Sequence, residues 1–253
     1  MFNKSHTKYI QSLHHKKFRD ELGAFIAEGP KVVLELLETR EFVCEQLFAV
    51  NEWLISNGNS LKKYSGSEVF SIKDFELEKI SMLSTPNNVL AVFTKKEPTE
   101  PVNLKGKITL VLDTIQDPGN LGTIIRTADW FGIENIVCSP ECADMYNPKV
   151  VQSTMGSLAR VNIFYTDINY WLEKNKGIKK YAASLNGKNI NSLKGIKEAI
   201  IIIGNEGKGI SDTVMNAVDE KITIPKIGEA ESLNAAVATG IILSQFVSGI
   251  ELP

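Results

Sequence analysis

Three short stretches in the second half of the chain gather the residue types from which a binding or catalytic site is built. The first is Asp113-Thr114-Ile115-Gln116-Asp117-Pro118-Gly119-Asn120-Leu121-Gly122-Thr123, which runs into a segment bearing Arg126. Pro118-Gly119 makes a turn, and Asn120 falls where a helix N-cap belongs. Its amide therefore either satisfies orphan backbone N–H groups or faces a ligand. Arg126 lies off the apolar stripe of the following helix. It is either a surface charge or a guanidinium reaching across the strand ends, where it and a helix N-terminus can hold a phosphate.

The second stretch, Gly204-Asn205-Glu206-Gly207-Lys208-Gly209-Ile210-Ser211, has three glycines in six residues, which lets a backbone approach a ligand closely. The spacing is neither that of the dinucleotide fingerprint nor that of the Walker phosphate loop. Glu206 repels a bare phosphate and suits a cationic ligand or a donor-rich group. The simpler alternative is a Gly-rich turn before a helix starting near Ser211. The third stretch runs from Ile224-Pro225 through Ser232-Leu233-Asn234 into an Ala-, Gly- and Ser-rich helix over Val237–Ile250. Ser232 suits the N-cap of that helix, and Asn234 falls in its first turn. Each residue alone has a structural explanation; three such loops together are harder to explain that way.

The elements that must position these loops read as strand, loop, helix, repeated. Ile108–Leu112 is a continuous apolar run, as a strand buried on both faces requires. Leu121, Ile124, Ile125 and Ala128 recur at helical spacing, and further strands fall at Ile136–Val137, Val161–Tyr165, Lys180–Ala183, Ala199–Ile203 and Lys221–Ile224. This alternation predicts an α/β fold on a mostly parallel sheet, whose ligands bind beyond the carboxyl ends of the strands. Ahead of it, the polar run Lys95–Lys107, with two prolines and a glycine, reads as a linker. The first half reads as a small α/β unit. It has a helix with Tyr9, Leu13 and Phe18 on one side, strands at Phe25–Ala27, Gln46–Val50 and Val89–Phe93, and a helix carrying Val32, Val33, Leu36 and Leu37.

Composition narrows the function classes. A chain 43% hydrophobic and 23% charged is an ordinary globular protein, and no run reaches the roughly 18 apolar residues of a membrane span. The basic, His-containing start is not a signal peptide, so a cytoplasmic protein is expected. Net charge is −2, yet residues 1–20 hold Lys4, Lys8, Lys16, Lys17 and Arg19 against Asp20 alone. That basic cap attracts a polyanion locally or is simply a solvated helix face. Cys138 and Cys142 have no histidine near them in sequence, so no metal site is expected.

Taken in order, the three stretches resemble the signature motifs of the SpoU (TrmH-like) RNA ribose 2′-O-methyltransferases of the SPOUT superfamily, over about residues 108–250. Asn120 and Arg126 match motif one, Gly204–Gly209 motif two, and Ile224-Pro225 with Ser232-Leu233-Asn234 motif three. Asn147–Ser157 also looks like a family segment, with Gln152 where family members often carry Arg. The first half resembles the small substrate-binding domain, related to ribosomal protein L30e, that precedes many such catalytic domains.

The resemblance implies an RNA substrate-binding domain at 1–97 and a catalytic domain at 106–253 with helices on both faces of its sheet, whose chain is tied in a trefoil knot. It implies S-adenosylmethionine as methyl donor and no metal. Backbone groups around Leu185, Gly204, Ile224 and Leu233 would hold the donor. Asn120, Arg126, Glu206, Ser232 and Asn234 would line the ribose side, with Arg126 on the target phosphate and hydroxyl. The expected partners are RNA, ribosomal RNA ahead of transfer RNA, and a second copy of the chain in a homodimer; no membrane is involved. The alternatives are a transfer-RNA ribose methyltransferase, a non-catalytic RNA-binding protein of the same fold, and a nucleotide-binding oxidoreductase, for which the glycine fingerprint is missing.

Overall fold

The computed structural model describes residues 2–39, 41–61 and 66–249. Ile250, the expected end of the last helix, lies outside them. The chain separates into two compact units, with boundaries at Glu97/Pro98, Ala143/Asp144 and Ala159/Arg160. The first of these falls inside the expected linker. The other two bound residues 144–159, which group with the N-terminal unit.

The first unit contains α1 (Lys4–Ser12), α2 (Lys16–Leu22), β1 (Ala24–Glu28), α3 (Pro30–Thr39), β2 (Cys44–Val50), α4 (Asn51–Leu61), β3 (Glu68–Ile72), α5 (Asp74–Glu78) and β4 (Val89–Thr94). Its sheet runs β1-β4-β2-β3, antiparallel except for the β2–β3 pair. The single helix expected near Tyr9–Phe18 is two: the chain turns between Leu13 and His15, and Phe18 is exposed while Ile10 and Leu13 are fully buried. The segment 144–159 belongs here for physical reasons. Asp144 accepts from the buried Arg19 guanidinium at 2.7 and 3.1 Å, and the Tyr146 ring lies 4.7 Å from that of Phe25. The Tyr146 hydroxyl donates to the carbonyl of Lys96 and accepts from its N–H.

At the end of β1, Glu28 is buried and accepts hydrogen bonds from Ser81 Oγ and, at 3.0 Å, from Met82 N–H. Burial raises its carboxyl above the usual range, although those two bonds pull the other way. The folded state thus holds this proton more tightly than the unfolded chain does. The resulting stabilisation is complete below the unfolded value and is lost as pH rises through the folded one. Glu28→Gln keeps a partner for both groups and cannot titrate. Denaturation followed from pH 4 upward is expected to show this loss of stability in the wild type and not in the variant.

The second unit starts with β5 (Ile108–Asp113), α6 (Pro118–Trp130) and β6 (Asn135–Cys138). The chain then supplies α7 (Pro148–Thr154) to the first unit and returns with β7 (Asn162–Tyr165), α8 (Ile168–Lys174), β8 (Lys180–Asn189), β9 (Ala199–Gly204), α9 (Asp212–Met215), β10 (Glu220–Thr223) and α10 (Ala235–Val247). Among the described residues the sheet order is β10-β8-β9-β5-β6-β7, and every pair is parallel. β5 and β9 lie at the centre, which is why Ile108–Leu112 and Ala199–Ile203 are apolar at every position but Thr109, and all of them are buried.

Alternation along the strands sends side chains to two helical layers. Val111, Ala182, Ile200 and Ile202 pack with Ile168, Trp171 and Leu172 of α8 and Val214 of α9. Tyr181 points the other way and meets Phe246 of α10 edge-on at 5.1 Å. No helix among the described residues is long and apolar enough to cross a membrane.

Candidate functional site

The three loops leave the carboxyl ends of β5, β9 and β10. In the first, the N-cap of α6 is Asp117, not Asn120: the Asp117 side chain accepts from Asn120 N–H at 2.8 Å, and Pro118 takes the first helical position. With its backbone cared for by Asp117, Asn120 has its amide free for other work. Its Nδ2 donates to Glu206 Oε1, and its Oδ1 accepts from Asn234 Nδ2 at 2.8 Å. Asn234, in turn, is the N-cap of α10, a place expected for Ser232. Its Oδ1 accepts from the N–H groups of Ala236 and Val237 at 3.0 and 3.2 Å.

These bonds have one direction. The backbone donors of α10 require the oxygen of Asn234, so its NH2 must face Asn120. That fixes the Asn120 oxygen toward Asn234 and its NH2 toward the carboxylate of Glu206. One residue from each loop is thereby locked to the next. Ser232 makes no hydrogen bond to any described residue, and its side chain is exposed. Arg126 is likewise exposed, without an ion pair or hydrogen bond among the described residues. It shares the outer face of α6 with Thr123 and Trp130, whereas Asn120 lies on another side of the helix.

The Gly-rich loop is a closed clasp. Asn205 and Gly209 exchange backbone hydrogen bonds at 3.0 and 2.9 Å, and Asn205 Oδ1 takes the N–H groups of Gly207 and Lys208. Gly204 is glycine for a local reason: a Cβ there would lie 2.3 Å from the carbonyl carbon of Gly209. Its first duty is to the fold of its own loop.

Of the residues expected around the donor, Leu185 and Ile224 come together. The β8–β10 pairing passes from Ala182↔Lys221 directly to Lys188↔Ile222, so residues 183–187 leave the ladder as a bulge. Leu185, in that bulge, is 70% exposed, and Thr223 Oγ contacts both its carbonyl and that of Ile224, at 3.1 and 3.4 Å. Leu233 is also exposed, directly before the cap of α10. Solvent-facing leucines beside free loop backbone fit a ligand with an apolar face and polar edges.

Reading the sequence assigned no role to Asp113, Thr114, Asn205 or Ser211, which bond the first two loops together. Nothing local distinguishes them, since their partners are some 90 residues away. Cys142 also works inside the fold. Its sulfur accepts from Ile115 N–H and donates to the carbonyl of Leu112, both at 3.2 Å. Hydrogen bonding with Cys138 holds the Cys142 thiol below its usual range, while burial pushes that of Cys138 well up. No group of three or more His, Cys, Asp or Glu among the described residues is arranged to hold a metal.

Residues 107–244 match the model of the SpoU rRNA methylase family, and residues 4–91 match that of the MRM3-like substrate binding domain. A 23S rRNA (guanosine(2553)-2′-O)-methyltransferase of Bacillus subtilis is 30% identical over 236 residues, covering 92% of each chain. A Porphyromonas gingivalis structure, provisionally described as an RNA methyltransferase of the TrmH family, is 36% identical over 98% of both chains, with a TM-score of 0.86. An AdoMet-bound rRNA methyltransferase from Sinorhizobium meliloti is 27% identical, covers 97% of this chain and 95% of its own, and also gives a TM-score of 0.86.

Proposed function

The chain belongs to the SpoU rRNA methylase family, and on that premise we propose that it transfers the methyl group of S-adenosylmethionine to a ribose 2′-hydroxyl of ribosomal RNA. The observation that carries this reading is the Asn234–Asn120–Glu206 chain, which draws one side chain from each of three loops to the carboxyl ends of a parallel sheet.

S-adenosylmethionine supplies an electrophilic sulfonium methyl carbon. The bulge at Leu185, the turn at Ile224, Leu233 and the backbone of Gly204 are the groups proposed to hold it. Such a donor would methylate the ribose oxygen in line, its sulfur keeping the electrons of the carbon–sulfur bond, and the hydroxyl proton would pass to a phosphate oxygen or water. The enzyme must orient the hydroxyl and stabilise charge growing on its oxygen. Asn120, Glu206, Ser232 and Asn234 are proposed to line the ribose. Arg126 is proposed to bind the target phosphate and steady the alkoxide. It does not serve as the base, because a guanidinium keeps its proton in proteins.

The same reading takes residues 1–97 as the RNA-binding domain, akin to L30e, and the C-terminal third of the catalytic domain as tied in a trefoil knot. The knot finds support in the end of α10. The carbonyls of Phe246 and Ser248 accept from the N–H groups of Ile196 and Gly195, which fastens the helix to the crossover between β8 and β9. A homodimer is proposed through the outer faces of α6 and α10, where Trp130 of α6 is 85% exposed and Val237 and Ile241 of α10 are also exposed. That arrangement gives the unpaired Arg126 a place at the interface. Three buried free cysteines suit the reducing cytoplasm.

The test is transfer of a labelled methyl group to ribosomal and transfer RNA from a strain lacking the gene. Alkali-resistant label in ribosomal RNA supports the proposal, and label in transfer RNA alone overturns the choice of substrate. Arg126→Lys, which keeps charge but loses the planar fork, is expected to lower kcat about tenfold or more. Unchanged turnover would remove Arg126 from the assigned role.

A further inference from the structure

Asp113, the last residue of β5, is only 5% exposed, and no cation pairs with it among the described residues. Its carboxylate is satisfied by neutral donors. Oδ2 accepts from the N–H and hydroxyl of Ser211 at 2.8 and 2.7 Å, and Oδ1 accepts from the hydroxyl of Thr114 at 3.0 Å. A buried carboxylate without a cation is a costly way to join two loops, since an apolar contact would serve stability better.

The next residue is strained as well. Thr114 has φ = +61°, a conformation that a β-branched side chain rarely adopts. The twist turns its N–H to Ser139 Oγ at 3.1 Å and its carbonyl to Asn205 Nδ2 at 2.9 Å. The two ends of the Gly-rich clasp are therefore fastened to two consecutive residues: Asn205, at the entry, to Thr114, and Ser211, at the exit, to Asp113. Glu206 follows the first fastening point directly. Strain and a buried carboxyl group coincide where the first loop meets the second, and among the described residues no other non-glycine residue with a positive φ directly follows a buried acidic residue.

We infer that Asp113 and Thr114 are positioning residues for Glu206, holding the clasp in its reactive shape before either substrate binds. The inference rests on the methyltransferase reading of this site and adds residues that act through Glu206 without touching the reacting atoms. Asp113→Ala removes the acceptor of the Ser211 N–H and hydroxyl and of the Thr114 hydroxyl together. Thr114→Gly relieves the strain and removes the hydroxyl bond to Asp113, and glycine accepts this φ freely, so this variant keeps the fold.

Full-length protein, S-adenosylmethionine and ribosomal RNA serve for the test, read as kcat and KM separately, with melting temperature alongside. Asp113→Ala is expected to lower kcat by about tenfold to thirtyfold, and Thr114→Gly by about fivefold, with little change in KM for the RNA. In a Glu206→Gln background the same substitutions should cost less than about threefold, because their route to the reaction is already cut. Equal losses in both backgrounds would mean a structural role and overturn the inference, as would a Thr114→Gly enzyme with wild-type kcat. Absence of transfer by the wild type would instead overturn the proposed function, so the two failures are distinguishable.

Discussion

Gly204→Ala is expected to abolish methyl transfer while leaving the parallel sheet folded. The added methyl carbon would stand 2.3 Å from the Gly209 carbonyl carbon, 2.4 Å from Ile210 N and 2.5 Å from the Gly209 oxygen. All three are backbone atoms, so no side chain can swing aside to make room. The clasp must open by about 1 Å to restore ordinary contact distances. A displacement of that size in a reacting array costs on the order of a hundredfold in rate. Here it also breaks the Asn205–Gly209 bonds that give Glu206 its place, so the combined loss in kcat is expected to exceed about a thousandfold. Stability should fall by about 1–3 kcal/mol, as for other overpacked sites. Single-turnover kinetics with circular dichroism checks both parts, and a folded variant within tenfold of wild-type turnover would show that the closed clasp is dispensable.

Asn120 offers the second large effect, together with a diagnostic of cause. Asn120→Ala removes the bond to Glu206 and the bond to Asn234 together. Water reaches these half-exposed groups, so the fold should lose less than about 1 kcal/mol. Turnover should fall by about a hundredfold to a thousandfold, since the side chains of Glu206 and Asn234 lose their shared partner. Asn120→Asp keeps the acceptor for Asn234 but sets a second carboxylate against Glu206. Two such groups cannot both ionise at low cost, so one carboxyl of the pair is raised. Acidification supplies the missing proton and with it a donor. The Asp variant is expected to regain about tenfold in kcat between pH 8 and pH 5.5, relative to the wild type over the same range, while the Ala variant regains nothing. Parallel profiles for the two variants would refute the role given to this bond.

How much of this was legible in the sequence follows the range of the interactions. β5 and β9 could be read because burial on both faces leaves an apolar run that needs no partner to be recognised. The loops carrying Asn120, Glu206 and Asn234 could be found because turn residues and polar groups follow such runs directly. The two N-caps lie two or three residues from the positions the sequence suggested. Asp117 caps α6 where the sequence suggested Asn120, and Asn234 caps α10 where it suggested Ser232; the amide of Asn120 is instead taken up by Glu206 and Asn234. β3 was missed because it is an edge strand with Val69 turned to solvent; its Phe70 stacks on Phe48 at 4.9 Å, a partner some twenty residues away. The Asp113–Ser211 and Thr114–Asn205 bonds span more than 90 residues and leave no local trace.

The loan of residues 144–159 to the N-terminal unit has a consequence for biosynthesis. A nascent chain that has emerged only as far as Glu97 holds all four strands of that unit's sheet but not Asp144 or Tyr146. At about 5–20 residues per second, the ribosome needs several seconds more to deliver residue 159. Throughout that interval Arg19 has only the carbonyls of Leu13 and His14 to answer its charge, and the Phe25 ring lacks the tyrosine that covers it. The N-terminal unit is therefore completed late, by residues that follow its sheet by some fifty positions, and a fragment ending at the linker would carry that unfinished surface permanently.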